Sequence, residues 1–343
     1  MTTSAKMHER AKIGITIGDI NGIGPETIIK ALADHRILSM ITPVIYGSGK
    51  VLAFYKKQLS VDDFNYTQVK NRGQYAHKAI NVVNAWEDNL EIVPGKPSQE
   101  AGKAALASIK LACEDLKEGV IDALVTAPVD KHTIHSPEFP FKGHTEYITQ
   151  FFDASDSLMF MVADSLRIGL VTEHVALKDV AGLITKEKIE SKLRIMEQSL
   201  RKDFGIVKPK IAILGLNPHA GDNGLIGTEE ESVIKAVVQE QRSKGKLVYG
   251  PQPPDGFFGA GQYAKFDGIL AMYHDQGLIP FKTLAFENGV NYTAGLPVIR
   301  TSPDHGTAYN IAGKNMANEL SMREAIFLAS SIFKHRAEQP AEK

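Results

Sequence analysis

The chain has 343 residues, with 39 Lys and Arg against 40 Asp and Glu, a near-zero balance that removes bulk attraction to nucleic acid or an anionic membrane and leaves any anion site local. Hydrophobic residues make up 43% and charged ones 23%, as in a folded globular protein and unlike a disordered, coiled-coil or fibrous chain; the length suits two domains or one large α/β domain. With Cys113 the sole cysteine, no internal disulfide can form, and a metal site would have to use His and carboxylates.

Residues 1–12 are polar and charged with no apolar core, so no secretory signal is expected, and the longest apolar runs, such as 158–163, are far too short to span a bilayer. Cytoplasm is the expected compartment. Short runs rich in Ile, Val and Leu recur between segments of helical period, the pattern of a mostly parallel sheet covered by helices. Strands are predicted at 12–17, 123–126, 168–172, 210–216 and 268–273. A helix is predicted over 98–119, where Leu106, Ile109, Cys113 and Leu116 recur at three and four, Ser98 caps the start and Gly119 closes the end. A second, over 185–205, carries the stripe Ile189, Leu193, Met196, Leu200 and Phe204, which reads as core contact. Two more begin with capping boxes, Thr228 with Glu231 and Ser321 with Glu324. No repeat or Pro-rich linker separates these elements, so two lobes are expected to interleave.

The first strand runs into a turn holding Gly18, Gly22, Gly24 and Pro25. Free N–H groups there could face an anion, but the Gly-x-x-x-Gly-x-Gly spacing differs from the dinucleotide fingerprint, and a structural turn is the favoured reading. Three strand candidates end alike, with His174, His219 and His274 each just beyond the C-terminal end of an apolar run. Ligands bind at that edge of open α/β sheets, so three imidazoles delivered there can converge on a divalent metal with an open position. Singly, each histidine reads as a loop residue or a satisfied polar group; the repeated context favours a shared site.

Other polar residues accompany them. His144 and Thr145 stand at a predicted helix start, where Thr145 serves equally as a cap. Asp255, between Pro254 and Gly256, reads as a turn residue. Lys282 and Arg300 lie in apolar surroundings, where a charge must find an acid or an anionic ligand. The segment 302–314 is rich in small and polar residues and reads as a recognition loop leading into a helix.

Six runs, 18–26, 126–131, 143–146, 216–221, 272–277 and 295–302, in this order and over nearly the whole chain, resemble the 4-hydroxythreonine-4-phosphate dehydrogenase family. The resemblance implies a three-layer α/β/α fold related to isocitrate and isopropylmalate dehydrogenases, with a mostly parallel sheet and two interleaved lobes around a cleft. One lobe would comprise 1–130 and 285–343, with both termini and an adenosine-binding loop; the other, 131–284, would carry the metal histidines and a dimer interface. The implied activity is an NAD-dependent oxidation in pyridoxal 5′-phosphate biosynthesis by a homodimer, with one divalent metal, zinc ahead of magnesium or cobalt, held by His174, His219 and His274.

By the same resemblance His144, Thr145, Lys282, Asn291 and Arg300 bind substrate, and Asp255, at an acidic position near it, joins Lys282 as a candidate catalytic residue. Asp304, His305, Gly306 and Asn310 fall in the adenosine-binding stretch. Relatives often have Asp where Asn310 stands, so NAD is expected to be preferred over NADP by a modest margin. Two departures bear on the substrate: Ile20-Asn21 replaces a common Pro-Ala, and Pro254-Asp255-Gly256-Phe257 differs from the usual Ala-Asp-Thr. Phosphothreonate and phosphoerythronate are therefore alternative substrates. From other classes, a metal-dependent phosphosugar aldolase or hydrolase would lack NAD binding, and a non-catalytic two-lobed phosphate- or sugar-binding protein would need neither metal nor adenosine loop.

Overall fold

In the computed structural model, which describes residues 10–87, 90–141 and 143–339, the chain forms two units: the described residues up to Ser155 with those from Leu296 on, and Asp156–Gly295. The N-terminal stretch 1–9 lies outside the described residues. Up to Ser155 the elements are β1 (Ala11–Thr16), α1 (Gly24–Leu32), β2 (Ile41–Gly47), α2 (Gly49–Leu59), β3 (Tyr66–Gln68), β4 (Ile80–Asn84), α3 (Gln99–Lys117), β5 (Ala123–Thr126), α4 (Lys131–Ile134) and α5 (His144–Phe151). The second unit holds β6 (Leu158–Ala163), β7 (Leu166–Leu170), α6 (Leu177–Leu183), α7 (Lys186–Lys202), β8 (Ile211–Leu214), α8 (Lys235–Ser243), β9 (Val248–Gln252), α9 (Pro254–Gly259), β10 (Gly268–Ala271), α10 (His274–Ala285) and β11 (Val290–Ala294). β12 (Arg300–Pro303) and α11 (Leu320–Glu338) return to the first unit.

The first unit's strands are all parallel, in the order β3-β4-β2-β1-β5-β12. Side chains alternate across a strand, and that alternation builds both faces. Val44, Tyr46 and Leu124 pack with Ile109 and Cys113 of α3. On the other face the Thr301 hydroxyl donates to the Ala325 carbonyl of α11. The predicted cap of α3 is present, with Ser98 Oγ accepting from Ala101 N at 3.1 Å.

The second unit runs β11-β6-β7-β10-β8-β9, with only β6 against the direction of the rest. Ile168, Leu170, Ile269 and Ala271 pack with Leu278 and Phe281 of α10. Gly169 and Gly268 face the opposite way, where a Cβ would meet Met196 of α7 at 2.6 Å and Leu200 at 2.9 Å. Absence of a side chain there lets the helix lie close on the strands. Both units are thus helix, sheet, helix.

The units divide at 155/156 and 295/296, further along the chain than 130/131 and 284/285. The reason is packing: Ile134, Phe139, Ile148 and Phe152 are buried with Ile109 and Cys113 of α3, which ties 131–155 to the first unit. β11, buried and paired with β6, carries residues 290–294 with the second unit. The Thr228/Glu231 capping box does not form. A single π-turn, Glu230–Ile234, takes its place with Glu229 as N-cap and no side-chain cap, because Glu230 is drawn into the preceding loop. α11 begins at Leu320 with Glu319 as N-cap, and Ser321 Oγ accepts from Asp304 N at 3.0 Å, fastening the 304–314 loop to the helix. Among the described residues no helix is long and apolar enough to cross a membrane.

Candidate active site

β7, β10 and β8 are adjacent and parallel, so their carboxyl ends share one edge. Pairing continues past the strands: Val171 N donates to Ala271 O at 2.8 Å and Thr172 N to Met272 O at 3.1 Å, and the Thr172 hydroxyl also donates to Met272 O at 2.7 Å. These bonds bring His174 and His274 side by side, ring centroids 5.7 Å apart. The two rings line a cleft of ≈ 510 Å³ with Glu173, Leu177, Tyr273 and Asp275. His274 Nδ1 lies 2.7 Å from Asp275 Oδ1. A carboxylate there accepts from an Nδ1–H and leaves the Nε2 lone pair for a ligand.

His219 follows β8 but enters a different conformation. Residues His219 to Asn223 all have positive φ, at 55°, 51°, 81°, 42° and 55°, a left-handed turn that costs energy wherever the residue is not glycine. Fully buried Glu230 anchors its start, accepting from Leu216 N and Asn217 N at 2.7 Å and from Asn217 Nδ2 at 2.9 Å. Among the described residues no three His, Cys, Asp or Glu side chains gather closely enough to hold a metal ion. The chain therefore pairs two of the three predicted histidines and leaves His219 outside that pair. Two adjacent imidazoles fit two positions of a nitrogen-rich tetrahedral site.

Gln276 has a role that its sequence neighbourhood does not announce. Buried in α10, it accepts from Met272 N at 2.7 Å and donates to Gly215 O at 2.6 Å, tying the end of β10 to that of β8. Its only sequence signal is its place in the 272–277 run.

In the first unit, Arg300 opens β12 and is 0% exposed. Nε and Nη2 donate to Thr126 Oγ1 at 3.1 and 2.6 Å, and Nη1 donates to Thr145 Oγ1 at 3.2 Å. Burial pulls its pKa down to about 10, so it stays charged near neutrality. Thr145 serves this contact and does not cap the helix, since α5 has no side-chain cap. The half-buried His144 has a shielded Nδ1 with no hydrogen-bond partner. Burial, reinforced by the charges of Arg300 and Lys131, holds its pKa well below the ordinary value, so the ring is neutral at pH 7.

The Gly18–Glu26 turn consumes its own donors. Asp19 N bonds Pro128 O, Gly22 N bonds Asp19 O, Ile23 N bonds Thr307 O, and Asn21 N bonds Asp19 Oδ1. These four N–H groups do not face an anion. The turn instead fastens the 304–314 loop, with Tyr309 OH donating to Asp19 Oδ2 at 2.8 Å. Burial raises the Asp19 pKa, opposed by the bond from Tyr309 and by backbone N–H groups and reinforced by Asp130.

On that loop, Gly306 and Asn310 are exposed, Asp304 and His305 half-buried, and the space where a Cβ of Gly306 would stand is open. A planar nucleoside can approach such a surface without displacing a side chain. Asp255 is exposed in the first turn of α9, Lys282 half-buried in the last turn of α10, and Asn291 half-buried on β11 opposite Met161.

The family model for the pyridoxal phosphate biosynthetic protein PdxA matches residues 39–329. A 4-hydroxythreonine-4-phosphate dehydrogenase of Bacteroides thetaiotaomicron is 50% identical over 335 residues, 97% of this chain and 92% of its own. One from a Sulfurihydrogenibium species is 45% identical over 318 residues, 93% and 97% of the two chains. The crystal structure of 4-hydroxythreonine-4-phosphate dehydrogenase from Klebsiella pneumoniae superposes with a TM-score of 0.82 at 35% identity, covering 95% of this chain and 98% of that one. Fold and matches together put the chain among the α/β dehydrogenases. Likeness at this identity over nearly the full length of both chains narrows the class: the chain belongs to the PdxA family.

Proposed function

We propose that the protein oxidises the C3 hydroxyl of 4-hydroxythreonine 4-phosphate with NAD. The product, 2-amino-3-oxo-4-(phosphooxy)butanoate, loses carbon dioxide to give 3-amino-2-oxopropyl phosphate, on the route to pyridoxal 5′-phosphate. What carries this reading is near-full-length likeness to relatives named for that substrate, joined to the His174–His274 pair at the strand ends. In the balance of the reaction, hydride leaves C3 for the nicotinamide and the hydroxyl gives up its proton. The bond from C2 to the carboxylate then breaks, and its electron pair takes up a proton at C2.

A divalent metal, zinc ahead of magnesium or cobalt, would lower the pKa of a hydroxyl brought to it and stabilise the resulting oxyanion. His174 and His274 would hold two of its positions, with Asp275 fixing the His274 tautomer. His219 of a second copy is the third donor this reading assigns. Exposed apolar side chains of this unit support a homodimer: Leu177, which lines the cleft with the pair, is 73% exposed, and Ile279 and Phe286, on α10 and at its end, are 64% and 76% exposed. Arg300 would offer charge-assisted hydrogen bonds to an anionic substrate group, and neutral His144 a ring nitrogen to a substrate hydroxyl. Lys282 and Asn291 are assigned anion contacts, and Asp255 and Lys282 proton movement. Asp304, His305, Gly306 and Asn310 would receive the adenosine end of NAD.

The test is NADH formation from 4-hydroxythreonine 4-phosphate, set beside phosphothreonate and phosphoerythronate, before and after chelation and metal return. Turnover of the first substrate, lost on chelation and regained with metal, is the expected result. Preference for either acid phosphate would reassign the substrate, and chelator-insensitive turnover would remove the metal.

A further inference from the structure

We propose that Asn21 is a positioning residue for the dinucleotide, acting through the 93–96 turn that packs against the 304–314 loop; this rests on reading that loop as the cofactor site. Asn21 is 1% exposed. Its Oδ1 accepts from Val93 N at 2.8 Å and its Nδ2 donates to Lys96 O at 2.9 Å, while its backbone carbonyl accepts from Gly95 N at 2.8 Å. One amide thus satisfies both ends of the turn, a pairing that neither an apolar side chain nor a carboxylate reproduces.

The turn so held lies against the loop. A Cβ on Gly95, whose φ is +87°, would stand 2.9 Å from the Tyr309 carbonyl oxygen, and a Cβ on Gly313, at φ +70°, would stand 2.7 Å from Pro94 Cβ. Both approaches require glycine, for space and for backbone conformation. Three further contacts hold the loop: Gln58 Nε2 donates to Gly313 O at 2.7 Å, Ile23 N donates to Thr307 O at 2.9 Å, and Ala312 is buried with Ile23 and Ala317. Gly306 and Asn310 remain exposed. The loop is thus fastened at several points while these two residues stay exposed, and ordering built into the loop is ordering that a ligand need not supply.

Removing the latch should weaken cofactor binding without slowing turnover once the cofactor is bound. In Asn21→Ala, NAD should bind about fivefold to tenfold more weakly, the scale of one hydrogen bond of ordinary strength, with kcat at saturating NAD within about twofold of wild type. Hydrogen exchange in the cofactor-free protein should quicken in peptides covering 304–314, with α3 and the second unit unchanged. Gln58→Ala, at an exposed position on α2, changes the same loop from another side should Asn21→Ala fold poorly, and should give a smaller effect of the same kind. Asn310→Asp is measured alongside. If Asn310→Asp alters NAD or NADP binding while the two latch variants leave both exchange and NAD affinity unchanged, the latch is overturned and the cofactor reading stands. If Asn310→Asp alters neither affinity, the cofactor reading falls and the positioning role with it.

Discussion

Arg300 and Thr126 are bound twice over: Nη2 and Nε of the guanidinium both donate to the one threonine hydroxyl, at 2.6 and 3.1 Å. Accepting two N–H groups uses both lone pairs of that oxygen, which fixes the plane of the guanidinium beneath β5 and β12. Register explains the meeting, since Arg300 pairs with Leu124 and Thr126 lies on the same face two residues on.

Replacing Arg300 by Lys keeps the charge and loses the fork. An ammonium cannot span Thr126 and Thr145 while presenting a second planar donor pair to a ligand. In steady-state kinetics, KM for the phosphorylated substrate should rise about tenfold or more, the cost of a charged hydrogen bond. NAD affinity, measured by calorimetry, should stay within about twofold. An unchanged substrate KM would reduce Arg300 to a structural residue.

His174→Ala and His274→Ala should each lower bound metal and turnover together, read by elemental analysis of the purified protein. Asp275→Asn should leave the histidines in place and weaken metal affinity about tenfold to a hundredfold, as loss of an orienting carboxylate does. If His219 acts in trans, a mixed dimer of His174→Ala and His219→Ala chains should regain one intact site, whereas either variant alone has none. Full metal retention in His174→Ala or His274→Ala would remove the metal reading.

The strands that bear these histidines were legible because β8 and β10 are short buried runs with no polar interruption, and their ends could be read off the sequence. β12 was not. Arg300-Thr-Ser-Pro303 is a four-residue strand in which three side chains are polar, and its burial depends on partners in β5 and α11 that lie far away in sequence. The left-handed turn at 219–223 was equally hidden, since four of its five residues are not glycine and their local preference is for the opposite hand. At Glu230 a long-range demand defeated a local motif: the backbone N–H groups of Leu216 and Asn217 claim the carboxylate, and the helix start rearranges around it. Nothing in the sequence around Asn21 announces its role, because the two backbone groups its side chain satisfies lie about seventy residues on.

His144 gives a pH dependence with a definite sign. Its folded pKa lies well below the ordinary histidine value, so between the folded and unfolded values the unfolded chain binds more protons, and stability falls as pH is lowered through about 6.5. Above that pH the residue has no effect. His144→Gln should therefore flatten the acid limb, with urea midpoints at about pH 5.5 and 7.5 lying closer together than in wild type. An equal separation in both proteins would show that His144 is not the group responsible.

If the 304–314 loop receives the adenosine end of NAD, choice of cofactor turns on Asn310. An acidic residue at the ribose would bond its hydroxyls and repel the 2′-phosphate of NADP, whereas a neutral amide can only hydrogen-bond. Exclusion of NADP should therefore be incomplete. Attraction is also missing, because no Arg or Lys lies between Asp304 and Gly313. NAD should be preferred by a modest margin, with NADP turned over at high concentration. Asn310 is exposed, so Asn310→Asp should fold normally and lower kcat/KM for NADP about tenfold, the scale of one unfavourable charge contact of roughly 1.4 kcal/mol, with NAD little altered. The measurement is kcat/KM for both cofactors in both proteins. A wild-type preference for NADP, or an aspartate variant that uses NADP as well as the wild type does, would place Asn310 away from the ribose.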